Sequence, residues 1–90
     1  MSEFNDNKEL SQYELKTKNG TAFLDYSLDG DVISLLHTEV PVADRGQGSA
    51  AMLVQYALDD ARNRDLRVKP TCPYVATFVK RHPEYQDIVI

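Results

Sequence analysis

"VISLLHTEVPVADRGQGSAAMLVQYALDDAR", residues 32–62, changes its hydrophobic period halfway along. Up to Val40, apolar residues stand on both faces of a strand, with Val32, Leu36 and Val40 opposite Ile33 and Leu35, the pattern of a central strand. From Gly48 onward Ala50, Leu53, Val54, Ala57, Leu58 and Ala61 recur at helical spacing, while Gln55, Asp59, Asp60 and Arg62 fall on the opposite side. Between them lie Pro41, which ends strand pairing, and the turn Arg45-Gly46-Gln47-Gly48. Two of the chain's four glycines sit in this turn. A glycine-rich entry leaves the first N–H groups of a helix without partners, and bare N–H groups there attract anions. The turn either shapes the chain only or holds a phosphate.

Working outward, residues 12–17 and 21–28 alternate as two half-buried strands, Tyr13 and Leu15 in one, Ala22, Leu24, Tyr26 and Leu28 in the other. Asn19-Gly20 and Asp29-Gly30 are hairpin signals. Three antiparallel strands, the third ending at Val40, therefore come first. After the helix, which ends near Arg64-Asp65, residues 66–72 read as a strand. Pro70 cannot donate to a ladder, so that strand lies at an edge or peels away there. Residues 73–82 form a short helix with Pro73 in its first turn, stopped by His82-Pro83, and residues 86–90 read as a last short strand. The order βββ-α-β-α-(β) predicts an α+β fold, one domain over residues 1–90 with a central helix on a mixed sheet.

Ninety residues make a single small domain with a thin core. No apolar run is long enough to span a membrane, and the acidic N-terminus is unlike a secretory signal, so the expected location is cytoplasmic. The lone Cys72 excludes an internal disulfide and any multi-cysteine zinc site. His37 and His82 are distant and lack metal-ligand spacing, so no metal is expected. A net charge of −4 argues against a nucleic-acid partner, but it hides an asymmetry. Residues 1–44 hold three Lys/Arg against nine Asp/Glu, and residues 45–90 hold seven against five. The switch falls at Arg45: either two solvated faces differ by chance, or an anion sits in the second half. Neither Gly-x-x-x-x-Gly-Lys nor G-x-G-x-x-G occurs, so the common nucleotide-phosphate loops are excluded.

Arg45-x-x-Gly48-x-Ala50, between a central strand and a long helix, resembles the acetyl-CoA signature of the GNAT superfamily of N-acetyltransferases. Together with "HTEVP" and "CPYV…RHPEY", the chain resembles a branch of very small, stand-alone GNAT-like proteins, and the likeness runs from about residue 13 to residue 90. The resemblance implies a minimal GNAT fold, three antiparallel strands then helix–strand–helix(–strand), whose sheet splays apart at the cofactor. It implies that the pyrophosphate of acetyl-CoA meets the turn of Arg45, Gly46, Gln47, Gly48, Ser49 and Ala50, and that Thr38 and Val40 supply main-chain groups to the pantetheine arm and thioester. Pro70 fits the same picture, since splaying has already removed the ladder bond it cannot make.

Acetyl transfer to an amine needs a neutral nucleophile, a stabilised oxyanion and a proton for the departing thiolate. By position in the resembled fold Tyr74 is the candidate acid. Cys72 competes with it: it stands at a helix start, where a thiolate is favoured, and in the resembled branch the cysteine at this motif position is taken to be catalytic. The other reading of Cys72 is a buried core residue. Glu39 is a candidate base or an ordinary strand-end carboxylate. His37 alternates with it and reads as a partly buried, satisfied histidine. Arg81 either meets CoA phosphates or is a solvated helix-end cation.

The tight hairpins leave no room for the helices that cover the acceptor in longer GNAT domains, so the acceptor side should be open. The function implied is acetyl transfer from acetyl-CoA to an amine, on a protein or a small molecule; the alternative is a non-catalytic CoA-binding module acting with a partner protein. No membrane partner is expected, and association with a like or unlike chain is left open.

Overall fold

A computed structural model describes residues 3–90. Five strands form one sheet in the order β1-β2-β3-β4-β5: β1 Phe4–Asn7, β2 Gln12–Thr17, β3 Gly20–Asp29, β4 Val32–Glu39 and β5 Arg67–Pro70. Helix α1 (Ser49–Asn63) connects β4 to β5, and α2 (Pro73–Arg81) follows β5. The first three pairings are antiparallel and β4–β5 is parallel, which makes the sheet mixed.

The alternation along β2 and β3 buries Tyr13, Leu15, Ala22, Leu24 and Tyr26 on the face that receives α1. Leu53, Val54, Ala57, Leu58 and Ala61 come down on them from the helix, all fully buried. Each Leu or Val so buried contributes about 1.5–3 kcal/mol relative to exposure. Val75, Phe78 and Val79 of α2 extend the same core beside Val68 of β5. The opposite sheet face carries Gln12, Glu14, Phe23 and Asp25, none of them fully buried, and among the described residues no helix covers it.

Four of the expectations change. A fourth antiparallel strand, β1, precedes the three read from sequence. Its FNDN segment is too polar for alternation to reveal, and it is held by the stacking of Phe4 on Tyr56 and by the Tyr26–Asp6 hydrogen bond. The first hairpin has Lys18-Asn19 as its loop, because Gly20 pairs with Thr17 inside the ladder. Gly20 instead lies close to Pro41: a Cβ there would sit 3.2 Å from its Cγ, a tight contact that the ring would have to relieve by a small shift. Leu28, expected inside, is 45% exposed at a hairpin end. Finally, residues 86–88 belong to the 3₁₀ turn Pro83–Ile88, and the chain reaches the sheet only after it, by one parallel Val68–Val89 bridge in which the Ile90 N–H donates to the Val68 carbonyl at 2.9 Å.

Strand β4 decides where the site lies. Tyr26 pairs with Leu35 but Asp25 pairs with His37, so Leu36 is an extra residue on β4. Such a bulge reverses which side chains face inward. Ile33 and Leu35 point into the core before it; after it Thr38 stands opposite the fully buried Leu24, and Val40 packs against the core. On its other side β4 loses its neighbour. The β4–β5 ladder ends at Leu35↔Pro70, and the Cys72 N–H closes it on the Leu35 carbonyl at 2.8 Å. Residues 37–39 pair with β3 alone, and the sheet is splayed there; Pro70 stands both on an edge strand and at the last pair before the splay.

Candidate functional site

A cavity of about 430 Å³ opens at the splay. Thr38, Glu39 and Val40 line it from β4, Asp44, Arg45, Gly46 and Gly48 from the turn, Ser49 and Ala50 from the start of α1, and Tyr74 from α2. The bulge, the proline and the glycine turn thus converge on one place.

The turn is built for bare backbone. Gly46 and Gly48 have φ of +83° and +82°, a left-handed conformation that other residues adopt only with strain. A Cβ on either would meet nothing within 4 Å, so main chain forms the cavity wall there. Gly48 is the N-cap of α1 and provides no side chain to occupy the first N–H groups, and the first turn of the helix holds no carboxylate. The N-terminal partial charge of a 15-residue helix is therefore presented uncovered to the cavity. The Arg45 side chain, 60% exposed, lies over the rim, its Nε donating to the Val40 carbonyl at 3.4 Å and its guanidinium 4.0 Å from Glu39.

Cys72 is placed differently from Tyr74. It is the N-cap of α2, 5% exposed, and absent from the cavity lining. The Thr38 hydroxyl, which does line the cavity, shares a 3.5 Å hydrogen bond with Sγ. Burial pushes the thiol up, but the Thr38 hydroxyl and the N–H groups of Val75, Tyr74 and Thr38 outweigh it and leave the thiol below its ordinary range. The Tyr74 side chain is 43% exposed and open to the cavity. It also lines a second cavity of about 300 Å³ between α1 and α2, and Arg81 lies there, beside Gln55, Thr77 and His82, rather than in the first.

Glu39 lines the main cavity, but its carboxylate is bonded to His37 Nε2 at 2.9 Å. His37 is exposed rather than partly buried, because the bulge at Leu36 turns it outward. Gln47 is exposed and does not line the cavity. Sequence reasoning missed Asp44, which is 1% exposed in the cavity wall. In the sequence it is one of nine carboxylates in residues 1–44, and nothing local singles it out.

With this geometry in hand, the comparisons are specific. A family model described as GCN5-related N-acetyl-transferase matches residues 12–88, and the chain belongs to that family. Protein NATD1 of Bos taurus is 48% identical over 52 residues, which are 58% of this chain and 46% of that protein. Protein NATD1 of Danio rerio is 40% identical over 60 residues, 64% of this chain and 54% of its own length. The chain thus spans about half the length of these curated relatives. An NMR solution structure of a GCN5-like protein of Staphylococcus aureus, described as a candidate N-acetyltransferase, superposes with a TM-score of 0.70. That match covers 100% of this chain and 91% of the other at 20% identity, which bears on the fold alone. The α+β fold with its mixed sheet is therefore the GNAT fold.

Proposed function

We propose that the chain binds acetyl-CoA in the 430 Å³ cavity and transfers the acetyl group to an amine acceptor. The observation that carries this reading is the uncapped start of α1, opened by Gly46 and Gly48 into a cavity that continues along the unpartnered end of β4. The family generally uses acetyl-CoA, and the residues fit it. Backbone N–H groups of the turn and Arg45 would hold the pyrophosphate; Gln47, exposed on the same turn, would meet it from outside. Thr38, Val40, Ser49 and Ala50 line the path of the pantetheine arm. Arg81, in the adjoining cavity, would meet a phosphate at the nucleotide end.

Acetyl-CoA supplies an activated acetyl thioester; the chain orients it and manages protons. The main-chain N–H near Val40, beyond the end of the β4–β5 ladder, would stabilise the oxyanion. Tyr74, which lines the cavity, would protonate the departing thiolate, and Glu39, on the same lining and bonded to His37, would take the proton of the amine. Cys72, buried and hydrogen-bonded to Thr38, lies outside the cavity lining and is the less accessible of the two candidates. The uncovered sheet face suits a protein amine or terminus as acceptor. We take the setting to be cytoplasmic, which suits the single unpaired cysteine, Cys72.

Calorimetric titration with acetyl-CoA, followed by turnover on a panel of amines and peptides, tests the proposal. Binding with turnover supports it, and absence of binding refutes it. Binding without turnover would favour a non-catalytic CoA-binding module, a reading to which the burial of Cys72 behind Thr38 lends weight. Two substitutions separate the chemistries. Tyr74→Phe should lower turnover with binding kept, while Cys72→Ala should abolish any acetyl mass adduct on the protein. The Cys72 thiol should react with iodoacetamide with a midpoint below its ordinary 9.0, and Thr38→Val should move that midpoint up.

A further inference from the structure

Asp44 poses a problem for an anion site, because it is a carboxylate buried in the cavity wall beside the turn that would hold a pyrophosphate. Its hydrogen bonds resolve it. Oδ2 accepts from the Thr17 hydroxyl at 2.7 Å and from the Asn19 backbone N–H at 3.1 Å, and Oδ1 accepts from the Asn19 side-chain amide at 2.8 Å. Both oxygens are engaged by the β2–β3 hairpin, a segment absent from the lining of the cavity. The carboxyl is held below the ordinary carboxylate range, chiefly by the Thr17 hydroxyl and, against the cost of burial, by the Asn19 donors.

The position of this residue gives the bonds a consequence. Asp44 ends the 3₁₀ turn Val42–Asp44 and is covalently joined to Arg45, the first residue of the glycine turn. Gly46 and Gly48 are the most permissive residues available, and neither makes side-chain contacts that would hold them. A turn with that much freedom costs conformational entropy to order around a ligand unless something fixes it beforehand. On the upstream side the fixed point is Asp44; downstream it is α1.

We infer that Asp44 is the positioning residue of the glycine turn: by clasping Thr17 and Asn19 it ties residues 45–48 to the β2–β3 hairpin and holds their N–H groups in the shape a pyrophosphate needs. The inference rests on the CoA-binding reading above, but Thr17 and Asn19, the partners that hold Asp44, lie outside the cavity lining. It also explains why the first hairpin takes Lys18-Asn19 as its loop: Asn19 offers both its backbone and its side-chain donors to Asp44.

The test alters the hairpin and reads the turn. Thr17→Val removes one donor to Asp44 without changing a cavity residue, and Thr17→Ser restores it. Tyr13→Phe removes a bond to Asp60 at the other end of the sheet and serves as the stability control. Three quantities are measured on the full chain: melting temperature, CoA affinity by calorimetry, and hydrogen exchange without ligand of the Arg45 and Met52 amides, which bond the Val42 and Gly48 carbonyls at the two ends of the turn. Thr17→Val should weaken CoA binding by about fivefold and speed exchange in the turn by a similar factor, the expected effect of one hydrogen bond to a carboxylate. Thr17→Ser should recover both, and Tyr13→Phe should lower the melting temperature with both unchanged. Wild-type affinity and exchange in Thr17→Val, or equal losses in Tyr13→Phe, would overturn the inference. If the unmodified chain binds no CoA, the functional reading falls instead, and exchange in the turn alone decides whether Asp44 holds it.

Discussion

The two ends of helix α1 are finished in opposite ways. At the C-terminal end side chains saturate one another: Tyr13 donates to Asp60 at 2.8 Å, Arg64 bridges Asp60 and Asp6, and Tyr26 donates to Asp6 at 2.6 Å. Just beside them Tyr85 donates to Asp59, and Arg62 grips Asp87 with two nitrogens and the Glu84 carbonyl with one of them. At the N-terminal end no side chain caps the helix, the preceding residues are left-handed glycines, and β4 has lost a neighbour. One end places polar groups against partners and ties β1 and the last turn to the helix. The other leaves polar backbone groups facing a cavity. On the proposed reading, stability and ligand binding fall to opposite ends of one helix, and the contrast can be broken by experiment.

The largest effect should come from the open end. Gly48→Val places a β-branched residue at φ +82° and a side chain in the cavity wall. Strain of about 1–2 kcal/mol and the loss of backbone access together should weaken CoA binding by more than roughly tenfold. Because that strain also lowers stability, melting temperature is recorded alongside; unchanged affinity would move the binding site elsewhere. At the saturated end, Tyr13→Phe should cost about 1 kcal/mol in denaturant unfolding and leave CoA affinity unaltered. A matching loss of affinity would show that the two ends are coupled.

Titration should give smaller effects that divide in the same way. Burial, then the bonds to Asp6 and Asp59 respectively, push the Tyr26 and Tyr85 phenols up to about 12, and burial with the bond to Asp60 raises Tyr13 as well. A raised acid-group value means stability fully present below pH 10 and lost as the pH climbs from there through the folded-state value. The alkaline limb therefore belongs to the saturated end, and Tyr85→Phe should flatten it. Asp44 and Asp87 are held below 3.8, so their contribution is present above that pH and fades as the pH falls further. Thr17→Val, which removes the bond that lowers Asp44 most, should flatten the loss on the acid side, and an unchanged acid limb would mean that the Asp44 bonds do not operate in solution. These limbs are read from chemical denaturation across pH.

Much of the fold was legible because it rests on local chemistry. The period of two in residues 12–17 and 21–28, the period of 3.6 after Gly48 and the proline at the head of α2 are each set by which side chains the backbone turns toward the core. The glycine turn was legible for the same reason, since positive φ and an uncapped helix start are properties of residues 45–50 themselves. Tertiary structure alone decided the rest. FNDN becomes a strand because β2 offers it a free edge and Tyr56 a ring to stack on. His37 and Thr38 exchange faces because one extra residue, Leu36, is accommodated between β3 and β4, a register choice that single-strand periodicity cannot express. Asp44 becomes a buried clasp because a hairpin more than twenty residues earlier delivers three donors to it. Patterning sets which face of an element is apolar; how elements are staggered against one another sets which polar groups meet, and the candidate site is made of such meetings.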